Sequence, residues 1–247
     1  MSKFHKLKVA AVNRETNDSV SVVFDVPTEL KNNYNYIPGQ YLTLKLQVNG
    51  EQVNRSYSFC SSPFANEPMT IAVKEVTGGK GSTFVNRNLK AGDEVEVMEP
   101  MGNFHSPLSE TANKEYVLFG GGSGVTPLFS ILKSVLAKEP NSTITLFYGN
   151  RDEQSIIFKN SIAELAAQNP SRLKVVHILD TPSAFTPYSG YLVKDLALKL
   201  LRENTSQNYA NAEFFICGPT PMMKEAENAL LVLSIPKEKI PIWLSYT

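Results

Sequence analysis

Hydrophobic and polar positions follow two rhythms along the chain. Up to residue 110, apolar and polar residues alternate in short runs, at 20–26, 41–46, 69–74 and 94–97. A period of two is that of a half-buried strand. Asn49-Gly50, between apolar runs, suits a tight hairpin turn. Many short strands with close turns predict an antiparallel barrel. After Glu115 the rhythm lengthens. Apolar runs at 116–119, 143–148, 173–179 and 213–217 read as strands. Each is followed by a stretch of helical character, from Thr126-Pro127 and over 155–168, 192–202 and 221–233. Strands alternating with helices predict a parallel sheet covered on both faces. The expected division is a β-barrel domain over 1–110 and an α/β domain over 111–247, joined through the polar stretch 107–113.

Composition adds limits. The 247 residues carry 24 Lys+Arg against 24 Asp+Glu, a neutral balance that gives no sign of a nucleic-acid footprint. Two cysteines, Cys60 and Cys217, are too few for a disulfide framework or for the about four ligands of an iron–sulfur cluster. The N-terminus has no apolar signal core, and no run approaches the roughly 20 apolar residues of a membrane span. A cytoplasmic protein is expected. His5, His105 and His177 are scattered without metal-ligand spacing, so no metal is expected.

Arg55-Ser56-Tyr57-Ser58 carries the chemistry of the first half. Arg55 is a permanently charged fork suited to phosphate. Tyr57, two positions on in an extended strand, shares its face and offers a ring to a flat heterocycle. Ser58 offers a hydroxyl at the strand end. The plain alternative is a set of ordinary surface strand residues. Gly78-Gly79-Lys80-Gly81-Ser82-Thr83 precedes an expected helix at 84–89, with Ser82 and Thr83 as natural N-caps. Glycine-rich turns entering a helix present N–H groups to anions.

In the second half, Gly120-Gly121-Gly122-Ser123-Gly124-Val125-Thr126-Pro127 follows a strand and opens a helix. That is the context of a dinucleotide site, although the spacing is not the six-residue Rossmann fingerprint. Bare backbone lets a pyrophosphate approach, and Thr126 adds a hydroxyl. Close packing of the turn on the sheet is the alternative. Cys217-Gly218-Pro219 is a second strand-to-helix turn, where open parallel sheets bind ligands. Cys217 has no companion base and is not read as a nucleophile; a buried strand end is its alternative.

These motifs, with Pro100-Met101-Gly102-Asn103-Phe104, occur in the order and approximate spacing of one family. The chain resembles the ferredoxin–NADP reductase superfamily over essentially its whole length. The resemblance implies a six-stranded FAD-binding barrel followed by a nicotinamide-binding α/β domain. It implies that Arg55 binds flavin phosphate, Tyr57 packs on the ring, and Ser58 bonds near the reactive nitrogen. Gly81, Ser82 and Thr83 would hold the pyrophosphate, and Val73 joins the flavin contacts. Gly121, Gly122, Ser123, Gly124 and Thr126, with Cys217, Gly218 and Pro219, would flank the nicotinamide. Ser58, Tyr57, Thr126 and Cys217 would be the residues nearest the chemistry. Tyr246, near the end, is a candidate to cover the flavin.

Arg55 through Pro63 and Tyr148-Gly149-Asn150-Arg151 resemble oxygenase reductases, the reductase subunit of phenylacetyl-CoA epoxidase among them. Those continue into a two-iron ferredoxin domain whose four cysteines this sequence lacks. Either the chain is a piece of a longer protein or it serves a separate one-electron acceptor, a ferredoxin-type domain or an oxygenase. The expected reaction passes a hydride from NAD(P)H to FAD and then single electrons to that acceptor. The rival expectation is a flavin-binding regulatory module without productive turnover. Arg151, past the second α/β strand, would meet a ribose 2′-phosphate and favours NADPH. Asp180 would repel that phosphate and favours NADH. The match around Arg151 tips the expectation to NADPH.

Overall fold

A computed structural model describes residues 3–243, and the chain forms two compact units. The first comprises the described residues up to His105 together with Phe129–Ser134. The second comprises Ser106–Leu128 and the described residues from Val135 onward.

The first unit is one antiparallel sheet with six strands. They are β1 (Phe4–Thr16), β2 (Ser19–Asp25), β3 (Tyr41–Val48), β4 (Glu51–Ser58), β5 (Thr70–Lys74) and β6 (Glu94–Met98), in the order β4-β3-β6-β1-β2-β5. The sheet curls into a half-barrel. Its edges, β4 and β5, do not form a ladder; the isolated bridge Phe59↔Ile71 links them just past β4. The helix α1 (Lys80–Arg87) contacts both edge strands. Inside the curl lie Leu7, Val9, Val20, Val22, Leu42, Leu44, Ile71 and Val97, all fully buried.

The Asn49-Gly50 turn forms as expected, with both residues at positive φ (52° and 81°), which matches the twist of a two-residue hairpin. The alternation pattern missed β1, and β4 is signalled only by the hairpin turn and the Arg55–Ser58 motif. The thirteen-residue β1 has register shifts between Val9 and Ala11 and between Arg14 and Thr16, so its inward positions change phase along the strand. In β4 the inward positions include Arg55, a polar residue on a face the alternation reads as apolar.

The second unit is a parallel sheet with five strands in the order β11-β10-β7-β8-β9. Its elements are β7 (Glu115–Gly121), α2 (Val125–Lys138, apart from Phe129–Ser134), β8 (Thr143–Asn150), α3 (Lys159–Gln168), β9 (Leu173–Leu179), α4 (Lys194–Asn204), β10 (Ala212–Cys217), α5 (Thr220–Val232) and β11 (Ile242–Trp243). Its core includes Val117, Phe119, Phe147, Ile178, Phe214 and Ile216. From β7 the chain steps outward to β8 and β9, then returns to the other side of β7 at β10. The reversal between β7 and β10 is a topological switch point, where open α/β sheets form a ligand crevice.

Two helix starts differ from the pattern. The expected helix at 155–168 begins only at Lys159, because Phe158 is in the left-handed region (φ 60°) and Ile156, Ile157 and Phe158 are buried. Ser155 instead closes a short turn whose cap is the Asp152 carboxylate, which accepts from the Ser155 N–H at 2.8 Å. The other difference is α1, which starts at Lys80, four residues before the expected position. Gly79 is its N-cap, so Ser82 and Thr83 lie inside the first turn and cap nothing. Among the described residues no helix is long and apolar enough to cross a membrane.

Candidate functional site

The open seam of the half-barrel is built by β4 on one side and the start of α1 on the other. Tyr57 pairs with Leu42 and Arg55 with Leu44, so both side chains share the face of two fully buried leucines. At the sheet edge that face is uncovered, and Arg55 stays exposed while Tyr57 is half-buried. Gly81 completes the cradle. A Cβ there would lie 2.7 Å from Arg55 Cγ and 3.4 Å from the Tyr57 hydroxyl oxygen. The structure thus brings Gly81 against the Arg55–Tyr57 pair, from which it is well separated along the chain. Arg55 donates to the Asn54 carbonyl at 2.8 Å, and no described carboxylate pairs with it. Beside it, the first turn of α1 has N–H groups that the helix itself cannot satisfy. Two positive features face one seam, a setting for an anion.

The Tyr57 hydroxyl is buried and has no hydrogen-bond partner. Burial pushes it up to about 12, against the opposing pull of Arg55, so it stays a neutral donor. An orphaned donor beside a cation and a bare glycine fits a phosphate-bearing aromatic group. Ser58 ends β4 opposite Tyr41, next to the bridge that closes the seam. Ser82 and Thr83 have internal duties. Ser82 Oγ accepts from the Val76 N–H at 3.1 Å, and Thr83 Oγ1 donates to Glu75 Oε1 at 3.2 Å. The Thr83 N–H donates to the Gly79 carbonyl at 3.1 Å, so neither hydroxyl nor that N–H is free for an anion. Val73 offers no side chain to the seam. Its side chain is fully buried in the core and its carbonyl accepts from Asn86, so it offers no side-chain surface to a cofactor.

In the second unit, the turn Gly122–Gly124 joins β7 to α2 at the switch point. Gly122 needs its positive φ of 51°. Gly121, Gly124 and Gly218 are bare for packing. A Cβ on Gly124 would lie 2.1 Å from the Cys217 carbonyl oxygen, and one on Gly121 would lie 2.6 Å from Met222 Sδ. One on Gly218 would lie 2.9 Å from the Gly121 nitrogen. The two turns therefore interlock, and Gly122 and Ser123 are the partly exposed backbone that a phosphate can reach. Within the glycine run, Gly121 and Gly124 thus serve close packing. Thr126 is buried, and its hydroxyl donates to the Ser123 carbonyl at 2.8 Å, which fixes the turn.

Cys217 is fully buried, and burial pushes its thiol up to about 12. Its turn presents backbone and the exposed Pro219, not sulfur. Arg151 and Asp180 are brought together at the ends of β8 and β9. The Asp180 N–H donates to the Asn150 carbonyl at 2.9 Å, and the Thr181 hydroxyl to the Arg151 carbonyl at 3.1 Å. Burial raises the Asp180 carboxyl, Arg151 pulls it down, and Asp152 raises it further. Tyr246 lies outside the described residues. Asn150 lies inside the motif that runs from Tyr148 to Arg151. Its amide is buried without a partner.

Residues 6–106 match the oxidoreductase FAD-binding domain, and residues 118–228 the oxidoreductase NAD-binding domain. A subunit of 1,2-phenylacetyl-CoA epoxidase from Escherichia coli is 37% identical over 246 residues, 97% of this chain and 67% of that protein. The chain belongs to the FAD- and NAD-binding oxidoreductases of the ferredoxin–NADP reductase superfamily. Another member, the ferredoxin reductase component of 3-ketosteroid-9-alpha-monooxygenase from Rhodococcus rhodochrous, is 37% identical over 95% of this chain and 63% of its own length. The chain thus spans about two thirds of these curated relatives. Among solved structures, the flavohem-like FAD/NAD-binding domain of nitric oxide dioxygenase from Vibrio cholerae superposes with a TM-score of 0.81 at 25% identity, over 98% of both chains. Membership gives the two units their ligands: FAD for the first and a nicotinamide nucleotide for the second.

Proposed function

We propose that this FAD-dependent NAD(P)H oxidoreductase is the reductase of an oxygenase system. In this reading it delivers electrons to a one-electron acceptor protein, a two-iron ferredoxin or an oxygenase component. The observation that carries the proposal is the seam of Arg55, Tyr57 and Gly81, with its orphaned hydroxyl and its cation free of any described carboxylate. The relatives named as components of epoxidase and monooxygenase systems support the partner class. Bound FAD supplies the conversion between a hydride donor and a one-electron acceptor.

The chain's own residues bind and orient. Arg55 and the α1 N-terminus hold the flavin phosphates. Tyr57 presents its ring to the isoalloxazine, and Ser58 bonds at the reactive end. The Gly122–Ser123 backbone holds the nicotinamide pyrophosphate, with the Gly218-Pro219 turn beside it. Cys217 contributes through its carbonyl and its fit against Gly124, not as a thiolate. Two buried free thiols, Cys60 and Cys217, are in keeping with a cytoplasmic setting.

NADPH is the proposed donor, met by Arg151, with Asp180 as the residue that limits that preference. Steady-state reduction of a two-iron ferredoxin by the FAD-loaded chain tests both claims. Asp180→Ser is expected to raise the NADPH-to-NADH ratio of kcat/KM about tenfold, the scale of one like-charge contact removed. An unchanged ratio removes Asp180 from specificity. Failure to reduce the ferredoxin with either nucleotide refutes the proposed partner class.

A further inference from the structure

Asn150 ends β8, one strand from the switch point and next to Arg151. It is 6% exposed, and neither Nδ2 nor Oδ1 has a hydrogen-bond partner. Leaving both ends of a buried amide unbonded is unfavourable, and an apolar residue of the same shape would avoid it. Its neighbour on the same face of the strand is Tyr148, two residues back. The Tyr148 hydroxyl is spread over three long contacts. It donates toward the Gly122 carbonyl at 3.2 Å and the Ile157 carbonyl at 3.4 Å, and it accepts from the Ile157 N–H at 3.2 Å. Hydroxyl hydrogen bonds normally close to about 2.7–2.8 Å. Burial raises this hydroxyl; the Ile157 backbone and the Asn150 amide lower it, yet the amide stops short of a hydrogen bond. An under-bonded hydroxyl and an unbonded amide therefore lie under the Gly122–Gly124 turn, the piece of backbone assigned to the pyrophosphate.

We infer that Asn150 is a positioning residue for the nicotinamide nucleotide, whose amide hydrogen-bonds the Tyr148–Gly122 group when phosphate draws on the turn. The inference rests on the nucleotide reading of that turn. Bonds made in the bound state and missing in the free state add to affinity, because the unbound protein alone bears the unsatisfied amide. A residue kept only for packing has no such dependence.

The test uses the flavin-loaded chain with NADP⁺ and NAD⁺ as probes. Asn150→Leu keeps the shape and deletes the amide. It is expected to hold the Tm of the nucleotide-free protein at or above wild type while weakening Kd by about tenfold, the scale of one or two neutral hydrogen bonds. Flavin content is expected to stay unchanged. An unchanged Kd with the same or higher Tm overturns the inference and leaves the nucleotide reading intact. Wild type that binds neither nucleotide overturns both. Hydrogen exchange of the Asn150 side-chain amide in the unmutated protein gives an independent reading if the variant does not fold. Slower exchange on adding NADP⁺ is expected, and no change overturns the inference.

Discussion

Gly81→Ala separates the stability of the first unit from its flavin affinity. The new methyl would lie 2.7 Å from Arg55 Cγ, too close to stay, and 3.4 Å from the Tyr57 hydroxyl oxygen, an ordinary contact. Arg55 must therefore move. Gly81 lies in the first turn of α1, where alanine gains up to about 1 kcal/mol of helix propensity over glycine. That gain offsets much of the local strain, so the flavin-free Tm is expected within a few degrees of wild type. Affinity goes the other way. Moving Arg55 off its phosphate forfeits a hydrogen bond to a charged group, about 1.5–3 kcal/mol. FAD binding, followed by flavin fluorescence, is expected to weaken by about ten- to a hundredfold. Arg55→Ala is expected to weaken it similarly. If both act on the same phosphate, the double variant loses little beyond Arg55→Ala alone. Wild-type FAD affinity in Gly81→Ala, or fully additive losses, refutes the cradle.

Two further outcomes follow from packing and burial. Gly124→Ala puts a methyl 2.1 Å from the Cys217 carbonyl, a backbone atom that cannot step aside, so a loss of about 3 kcal/mol is expected. Gly149→Ala, whose new methyl would come no closer than 3.8 Å to a neighbouring atom, is the tolerated control, and thermal melts compare the two. Burial, with Lys159 nearby, lowers His177 to about 4 from an ordinary value of 6.5. The unfolded chain therefore binds the proton first. Stability is full above about pH 6.5 and falls as pH drops toward 4, by about 2 kcal/mol at pH 5. His177→Phe is expected to lose less stability than wild type between pH 7 and pH 5 in denaturant titrations.

The sequence carried the architecture because periodicity survives wherever a segment buries one face. The α/β half was legible strand by strand for that reason. It failed where a second demand overrode the pattern. In β4 the inward positions are given to Arg55 and Tyr57, so the strand reads as polar. In α3 the left-handed Phe158 stops a helix whose composition would extend it. Side-chain identity also could not separate glycines with open backbone from glycines that let two turns interlock. The distances at Gly121, Gly124 and Gly218 made that distinction. Residue type alone could not show that the Val73 side chain is buried in the core, or that the Asn150 amide is buried without a hydrogen-bond partner.

The central claim is that one chain accepts a hydride from a nicotinamide nucleotide onto its bound flavin. Anaerobic rapid mixing of the FAD-loaded protein with NADPH, and separately with NADH, tests it most directly. Loss of the flavin's visible absorption band within a turnover, faster with NADPH, is the expected result. A flavin that binds tightly and stays yellow with both nucleotides contradicts the claim and points to the regulatory module instead.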